Sequence, residues 1–250
     1  MYNMRPVQYA DQVENRPITD ALPYLRKVYA LFSGGIAFAI AGALFALYAG
    51  TPLRIGADDG STILLPPVVA FGLQHYFIML ILFVGAFFGA SALRRVPGVN
   101  LVALFGYTFI AGLFIAPSIF IAQLLASQGA SLDASPVRDA FLLTGAAFTG
   151  LTAYVFISRK DFSFLGASLS MGLWVVIGAS VLGFFVHSAA LSLAVASVGV
   201  LLFCGYILYD TSRLLRSGER DAISAALRLF LDVMNLFLFL LRILSSARRR

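Results

Sequence analysis

Five stretches of this 250-residue chain contain no Asp, Glu, Lys or Arg: Val28 to Leu53 (26 residues), Gly60 to Leu93 (34), Val96 to Leu132 (37), Ala140 to Ser158 (19) and Phe162 to Tyr209 (48). Each meets the roughly 18 residues that a helix needs to cross a bilayer, and the last is long enough for two crossings. Composition agrees, with 60% hydrophobic residues and only 12% charged, where soluble domains carry roughly 25% charged. The chain reads as an all-α polytopic membrane protein. A soluble enzyme, a nucleic-acid binder and a secreted disulfide scaffold are excluded, and the single cysteine, Cys204, can form no internal disulfide.

Glycine, proline and charge divide the runs into helices at about Arg26 to Tyr48, Val68 to Leu93, Leu101 to Ser127 (with a kink at Pro117), Arg138 to Ile157, Phe164 to Val186 and Ala189 to Thr211. No apolar stretch in Met1 to Asp20 precedes a small-residue cleavage site, so the first helix is expected to act as the insertion signal. With the amino terminus inside, eleven basic residues fall on the cytoplasmic side, among them Arg94, Arg95, Arg159, Lys160, Arg213 and Arg216. Only Arg54 and Arg138 fall outside, an asymmetry that sets the orientation. The net charge of +6 therefore reports topology first.

A seventh segment, Ala222 to Leu244, is long enough to span but carries Arg228, Asp232, Asn235 and Arg242. Such a helix belongs in the middle of a bundle, enclosed by the other six. The expected organisation is a cytoplasmic segment (1–25), a seven-helix transmembrane domain (26–245) and a basic tail (246–250). The tail includes Arg248 to Arg250. Gly85 with Gly89, and Gly166 with Ser170, are the small-residue pairs expected to bring helices close.

Ten of the 12 acidic residues fall in loops or tails by this topology; Asp210 and Asp232 do not. A carboxylate inside a transmembrane segment costs a few kcal/mol or more unless it is protonated, paired or wetted, so each is a functional candidate. Local pairing is the plain alternative: Asp210 with Arg213 at i+3, and Asp232 with Arg228 at i−4. If the two carboxylates meet, they share a proton and titrate as a pair, which makes a pH sensor. Fully ionised, and joined by Asn235 and backbone carbonyls, they offer oxygen ligands suited to transient calcium binding. His75 and His187 read as polar contacts at helix ends or turns.

Three segments, Ser158-Arg159-Lys160-Asp161-Phe162-Ser163-Phe164-Leu165-Gly166, Tyr206-Ile207-Leu208-Tyr209-Asp210-Thr211 and Phe230-Leu231-Asp232-Val233-Met234-Asn235-Leu236-Phe237, resemble in order and spacing the Bax inhibitor-1 family. The resemblance is clearest from Arg94 to Leu244 and includes Gly106-Tyr107-Thr108-Phe109 and Pro117. It implies six helices around a central seventh, and a pH-sensitive calcium leak whose sensor is an aspartate pair matching Asp210 and Asp232. It also implies an arginine latch on one aspartate, for which Arg94 and Arg95 are the candidates; Arg213, Arg228 and Asn235 are supporting polar groups by their own positions.

Calcium is then the permeant ion, no cofactor or enzymatic activity is expected, and the protein is taken as a monomer in a bacterial inner membrane. Family members are also described as suppressors of cell death and, in bacteria, as partners of a membrane-bound ATP-dependent protease. A regulator that transports nothing is therefore the alternative. An intramembrane aspartyl protease fits Tyr209-Asp210 but wants Gly-x-Gly before the second aspartate, where Leu229, Phe230 and Leu231 stand. A proton-coupled transporter would use the same acids, but no inverted repeat is visible.

Overall fold

A computed structural model describes residues 18–56, 62–127, 135–186, 188–216 and 221–247. Its long helices are α1 (Ile18–Tyr48), α3 (Tyr76–Leu93), α4 (Val99–Ser127), α5 (Pro136–Ser158), α6 (Gly166–Val186), α7 (Ala189–Arg216) and α8 (Ala222–Ala247). A short helix α2 (Pro67–Gln74) precedes α3, and a 3-10 turn (Ser163–Leu165) precedes α6. Among the described residues, six helices are long and apolar enough to cross a membrane, namely α1 from Leu22, α3, α4, α5, the segment Ser163–Gly183, and α7. The protein is thus an all-α, multi-pass membrane protein. Its exposed apolar side chains, such as Ile81, Phe88, Trp174, Phe185 and Leu201, suit hydrocarbon rather than water.

Two features depart from the expected outline. The second helix is broken at His75, whose φ of −120° and ψ of 45° are not helical. The backbone bonds His75 N–H to the Phe71 carbonyl (2.8 Å) and Met79 N–H to the His75 carbonyl (3.0 Å) continue the ladder on either side. The loop after α1 holds an antiparallel hairpin, β1 (Leu53–Gly56) with β2 (Thr62–Leu65), in which Leu53 faces Leu65 and Gly56 faces Thr62. By alternation of the helices, this hairpin marks one end of the bundle. Arg94, Arg159, Arg216 and Asp221 mark the other.

Close backbone approach sets the packing of α1 on α4. A Cβ on Gly112 would lie 2.1 Å from the Ala39 carbonyl oxygen, and one on Gly42 would lie 2.2 Å from that of Phe109. Only glycine fits at this crossing, as expected of small-residue contacts between membrane helices. Gly85 and Gly89 do not serve this purpose, since nothing lies within 4 Å of a Cβ built at either. Gly166 does, with a Cβ 3.1 Å from the Tyr209 ring on α7. Pro117 stays within an uninterrupted α4, and its ring fills the space that a side chain at Gly72 of α2 would need.

The core forms around α8. From Ala222 to Ser246 every residue is buried or half-buried except Arg242. Ala225, Ala226, Leu229, Phe230 and Leu236 are almost wholly enclosed. α8 packs mainly against α7, α5, α1 and α4, while α3 leans on α4 and α6 on α7. The expected enclosure by six helices is thus a direct wall of four with two outside it. At 26 residues, α8 is ~39 Å long, ample for a bilayer. His187 and the tail Arg248 to Arg250 lie outside the described residues.

Candidate functional site

Asp210 and Asp232 meet inside this core, each only 5% exposed. Sequence spacing left their meeting open: with a turn starting near Arg213, Asp210 would lie about 5 Å from the loop and Asp232 about 15 Å. The structure extends α7 by more than a turn, to Arg216. That places Asp210 about 9 Å deep on the same measure, and the side chains cover the rest. The Asp232 carboxyl lies close enough to Asp210 for the two to interact directly, and two such neighbours in an enclosed core do not comfortably both ionise.

Arg228 completes the cluster from one turn below Asp232 on α8. Its Nε lies 3.3 Å from Asp210 Oδ1, joining α8 to α7. The sequence rule for one helix pairs Arg228 with Asp232 at i−4; in the fold the ion pair runs across helices to Asp210. Arg213, offered as the partner of Asp210 at i+3, places its guanidinium 5.9 Å from the centre of the Tyr209 ring. Asn235 donates its amide to the Leu231 carbonyl at 2.8 Å, one turn above Asp232 on the side of the hairpin end.

Neither Arg94 nor Arg95 reaches the aspartates by an ion pair among the described residues. Arg94 Nε instead pairs with Asp221 Oδ2 at 3.3 Å, while Arg95 is exposed. Asp221 caps α8, accepting from the Ser224 backbone N–H (3.1 Å) and the Ser224 hydroxyl (2.7 Å). Burial works to raise the Asp221 carboxyl. The two Ser224 bonds and the Arg94 guanidinium outweigh it and hold Asp221 below the usual carboxylate range. This second acid and its role as a clasp between α3 and α8 were missed in the sequence, although Asp-x-x-Ser before an apolar run is a capping signal.

The motif segment after α5 is also fixed in place. Arg159 ends α5 in the left-handed conformation, with φ of 51°. Its carbonyl accepts from the Arg216 guanidinium, and the Ser212 hydroxyl accepts from the Phe162 N–H at 3.3 Å. The Ser163 backbone N–H, donated to Asp161 at 2.8 Å, is the largest influence holding that carboxyl low. This loop is thereby tied to the end of α7, six residues beyond Asp210.

Above the cluster, towards the hairpin end, lies an open cavity of about 820 Å³ lined by α2, α3, α4, α6, α7 and one face of α8. That face is Asn235, Leu238, Phe239, Leu241, Arg242, Ser245 and Ser246, which recur at helical spacing along one side of α8. Its downward continuation is Asp232, Leu231 and Arg228. No group of three or more His, Cys, Asp or Glu able to hold a metal is found among the described residues. The aspartate pair is a two-carboxylate cluster with its own guanidinium.

The comparisons with known proteins match this architecture along nearly the whole chain. Residues 23–249 fit the family described as inhibitor of apoptosis-promoting Bax1. An uncharacterized protein of Campylobacter jejuni is 31% identical over 249 residues, covering 98% of each chain. Protein lifeguard 4 of Mus musculus is 32% identical over 244 residues, 97% of this chain and 92% of its own. Bax inhibitor 1 of Schizosaccharomyces pombe is 31% identical over 227 residues, 90% of this chain and 76% of its own. A profile that runs from α1 to the end of α8, and full-length relatives in bacteria and eukaryotes, leave one conclusion: the chain belongs to the Bax inhibitor-1 family.

Proposed function

We propose that this protein is a proton-gated cation leak with calcium as the permeant ion, built from seven spans with a cytoplasmic amino terminus in a bacterial inner membrane. The observation that carries the reading is the buried cluster of Asp210, Asp232 and Arg228 on adjacent central helices. Ionisable groups at that depth are costly and mark ion or proton pathways. The cavity, which reaches from the hairpin end down to Asn235, one turn from Asp232, is taken as half of a route. From the other end the aspartates are closed off by the α7–α8 packing and by Arg228, which takes the latch role that resemblance had assigned to Arg94 or Arg95.

In this reading the cluster is neutral when the two carboxyls share one proton and Arg228 is charged. Loss of the proton leaves one net negative charge, which attracts a cation and strengthens the hold on Arg228. Opening requires Arg228 to leave Asp210. Arg94 and Asp221 act outside the pathway, fixing where α8 begins.

The test is calcium flux into liposomes holding the purified protein, across about pH 6 to 8, for the native chain, Asp210→Asn and Asp232→Asn. Flux that depends on pH in the native chain and loses that dependence in either variant supports the leak. Flux equal to that of empty liposomes in all samples rejects it and favours the second reading, a regulator that transports nothing. That reading draws on the description of the family as an inhibitor of apoptosis-promoting Bax1, and for a bacterial chain its partner would be a membrane-bound ATP-dependent protease.

A further inference from the structure

The cavity beside α8 has a chemistry of its own. Its volume of about 820 Å³ falls in the roughly 300–1,000 Å³ range of small-molecule sites. Most of its wall is apolar, including Leu73, Phe114, Ile121, Leu238 and Phe239, and Arg242 is the only charged residue among the described lining. A calcium site would be lined with carboxylates, so the fixed charge here suits an anion.

Two further observations bear on Arg242 and its surroundings. Arg242 is the one exposed residue between Ala222 and Ser246 and makes no ion pair with a described carboxylate. One turn above it, the Ser245 hydroxyl is buried and without a hydrogen-bond partner among the described residues. A buried hydroxyl without a partner is costly, and a bound acceptor would relieve it. The other hydroxyl whose bonding is recorded in the wall, that of Ser180, is already spent on the Val176 carbonyl. The unmet polar demand on α8 is therefore concentrated at the hairpin end, and the α8 wall below it is apolar down to Asn235.

The shape suits a chain lying along α8. From Asn235 to Ser246 the stripe rises ~16 Å. The flanking helices α3 and α6 are each anchored on a neighbour, α4 and α7, and among the described residues they pack little on each other or on α8. A gap between two such helices gives access from the bilayer.

We infer that the cavity is a binding site for a single-chain anionic amphiphile, an acyl chain along Leu238 and Phe239 with its carboxylate or phosphate head on Arg242 and Ser245. The inference rests on the cavity alone and holds whether or not the protein conducts calcium. An occupant here would also lie across the approach to Asp232.

The experiment is equilibrium binding to the full chain in nanodiscs of zwitterionic lipid. The probes are labelled palmitate, lysophosphatidate and lysophosphatidylcholine, offered to the native protein, Arg242→Gln, Arg242→Lys and Ile121→Trp. The expected result is saturable binding of an anionic probe at one per chain. Arg242→Gln should weaken it roughly tenfold, the loss of a charge-assisted contact, and Arg242→Lys should retain most of it. Ile121→Trp should weaken it by filling cavity volume while leaving the charge in place. Competition between palmitate and lysophosphatidate identifies the head group. Uptake proportional to lipid alone, equal binding of lysophosphatidylcholine, or indifference to both Arg242→Gln and Ile121→Trp overturns the assignment. Because no flux is read, failure here leaves the leak untouched, and failure of the leak leaves this standing.

Discussion

Arg228 is the residue whose removal should cost most for its size. Its Nε lies 3.3 Å from Asp210 Oδ1, and the two side chains are 30% and 7% exposed. Removing one partner of a fully buried ion pair costs ~3–5 kcal/mol, because the other charge stays behind in a medium of low dielectric. The partial exposure of Arg228 admits some water, which reduces the expected cost of Arg228→Met to about 2–3 kcal/mol. Asp210→Asn in that background removes the stranded charge and should restore part of the loss, a coupling of about 2 kcal/mol. Arg213→Met, which gives up a guanidinium near the Tyr209 ring, serves as the comparison, with that contact worth about 0.5–1 kcal/mol. Reversible unfolding of the native chain, the two single variants, the double variant and Arg213→Met in mixed micelles, followed by circular dichroism, measures the cycle. Additivity of Arg228→Met and Asp210→Asn to within ~0.5 kcal/mol would refute the idea that the pair joins α7 to α8.

Two other perturbations test the frame around the site. Gly112→Val should be among the most damaging single substitutions, costing at least ~3 kcal/mol, since its Cβ alone would sit 2.1 Å from the Ala39 carbonyl; a monodisperse protein of native stability would show that α1 and α4 do not touch there. For Asp221, the folded-state pKa is depressed, so its contribution is present above the unfolded value of ~3.9 and lost as pH falls through the folded value. Asp221→Asn should therefore cost about 1 kcal/mol at neutral pH as a weakened cap, and should flatten the acid limb of the stability curve. An acid limb identical to that of the native chain would sink this account.

What could be read in the sequence was whatever depends on solvation of one helix at a time. Long charge-free runs demand lipid, so the spans and the polar character of Ala222 to Leu244 are plain in the sequence. The break at His75 was not, because neither glycine nor proline occupies the position and only packing above Pro117 distinguishes α2 from α3. The hairpin had a faint signal in Asp59-Gly60 between two short apolar segments, hidden by reading the whole loop as a connector. Pairings failed for a related reason. The i, i+4 rule sees Arg228 and Asp232 on one helix face, but which carboxylate receives the guanidinium depends on the register of α7 against α8. The same holds for Gly42 and Gly112, which look no different in sequence from Gly85 and Gly89.

The placement of charge along α8 explains why one helix can be both the most buried and the most polar. Asp221 and Arg94 neutralise each other at its start, Arg228 meets Asp210 two turns in, Asp232 leans on Asp210 a turn later, and Arg242 emerges beside the cavity near its end. Every charge that is enclosed has a neighbour on another helix, and the one that emerges does so where the wall opens. A span facing lipid could hold none of these without penalty. Carried inside four others, the same residues become contacts that fix its register, and that register is what brings Asp232 to Asp210. Beyond any part in the proposed leak, the polar groups determine where the central helix stands, so a substitution aimed at gating has to be read against stability measured on the same variant.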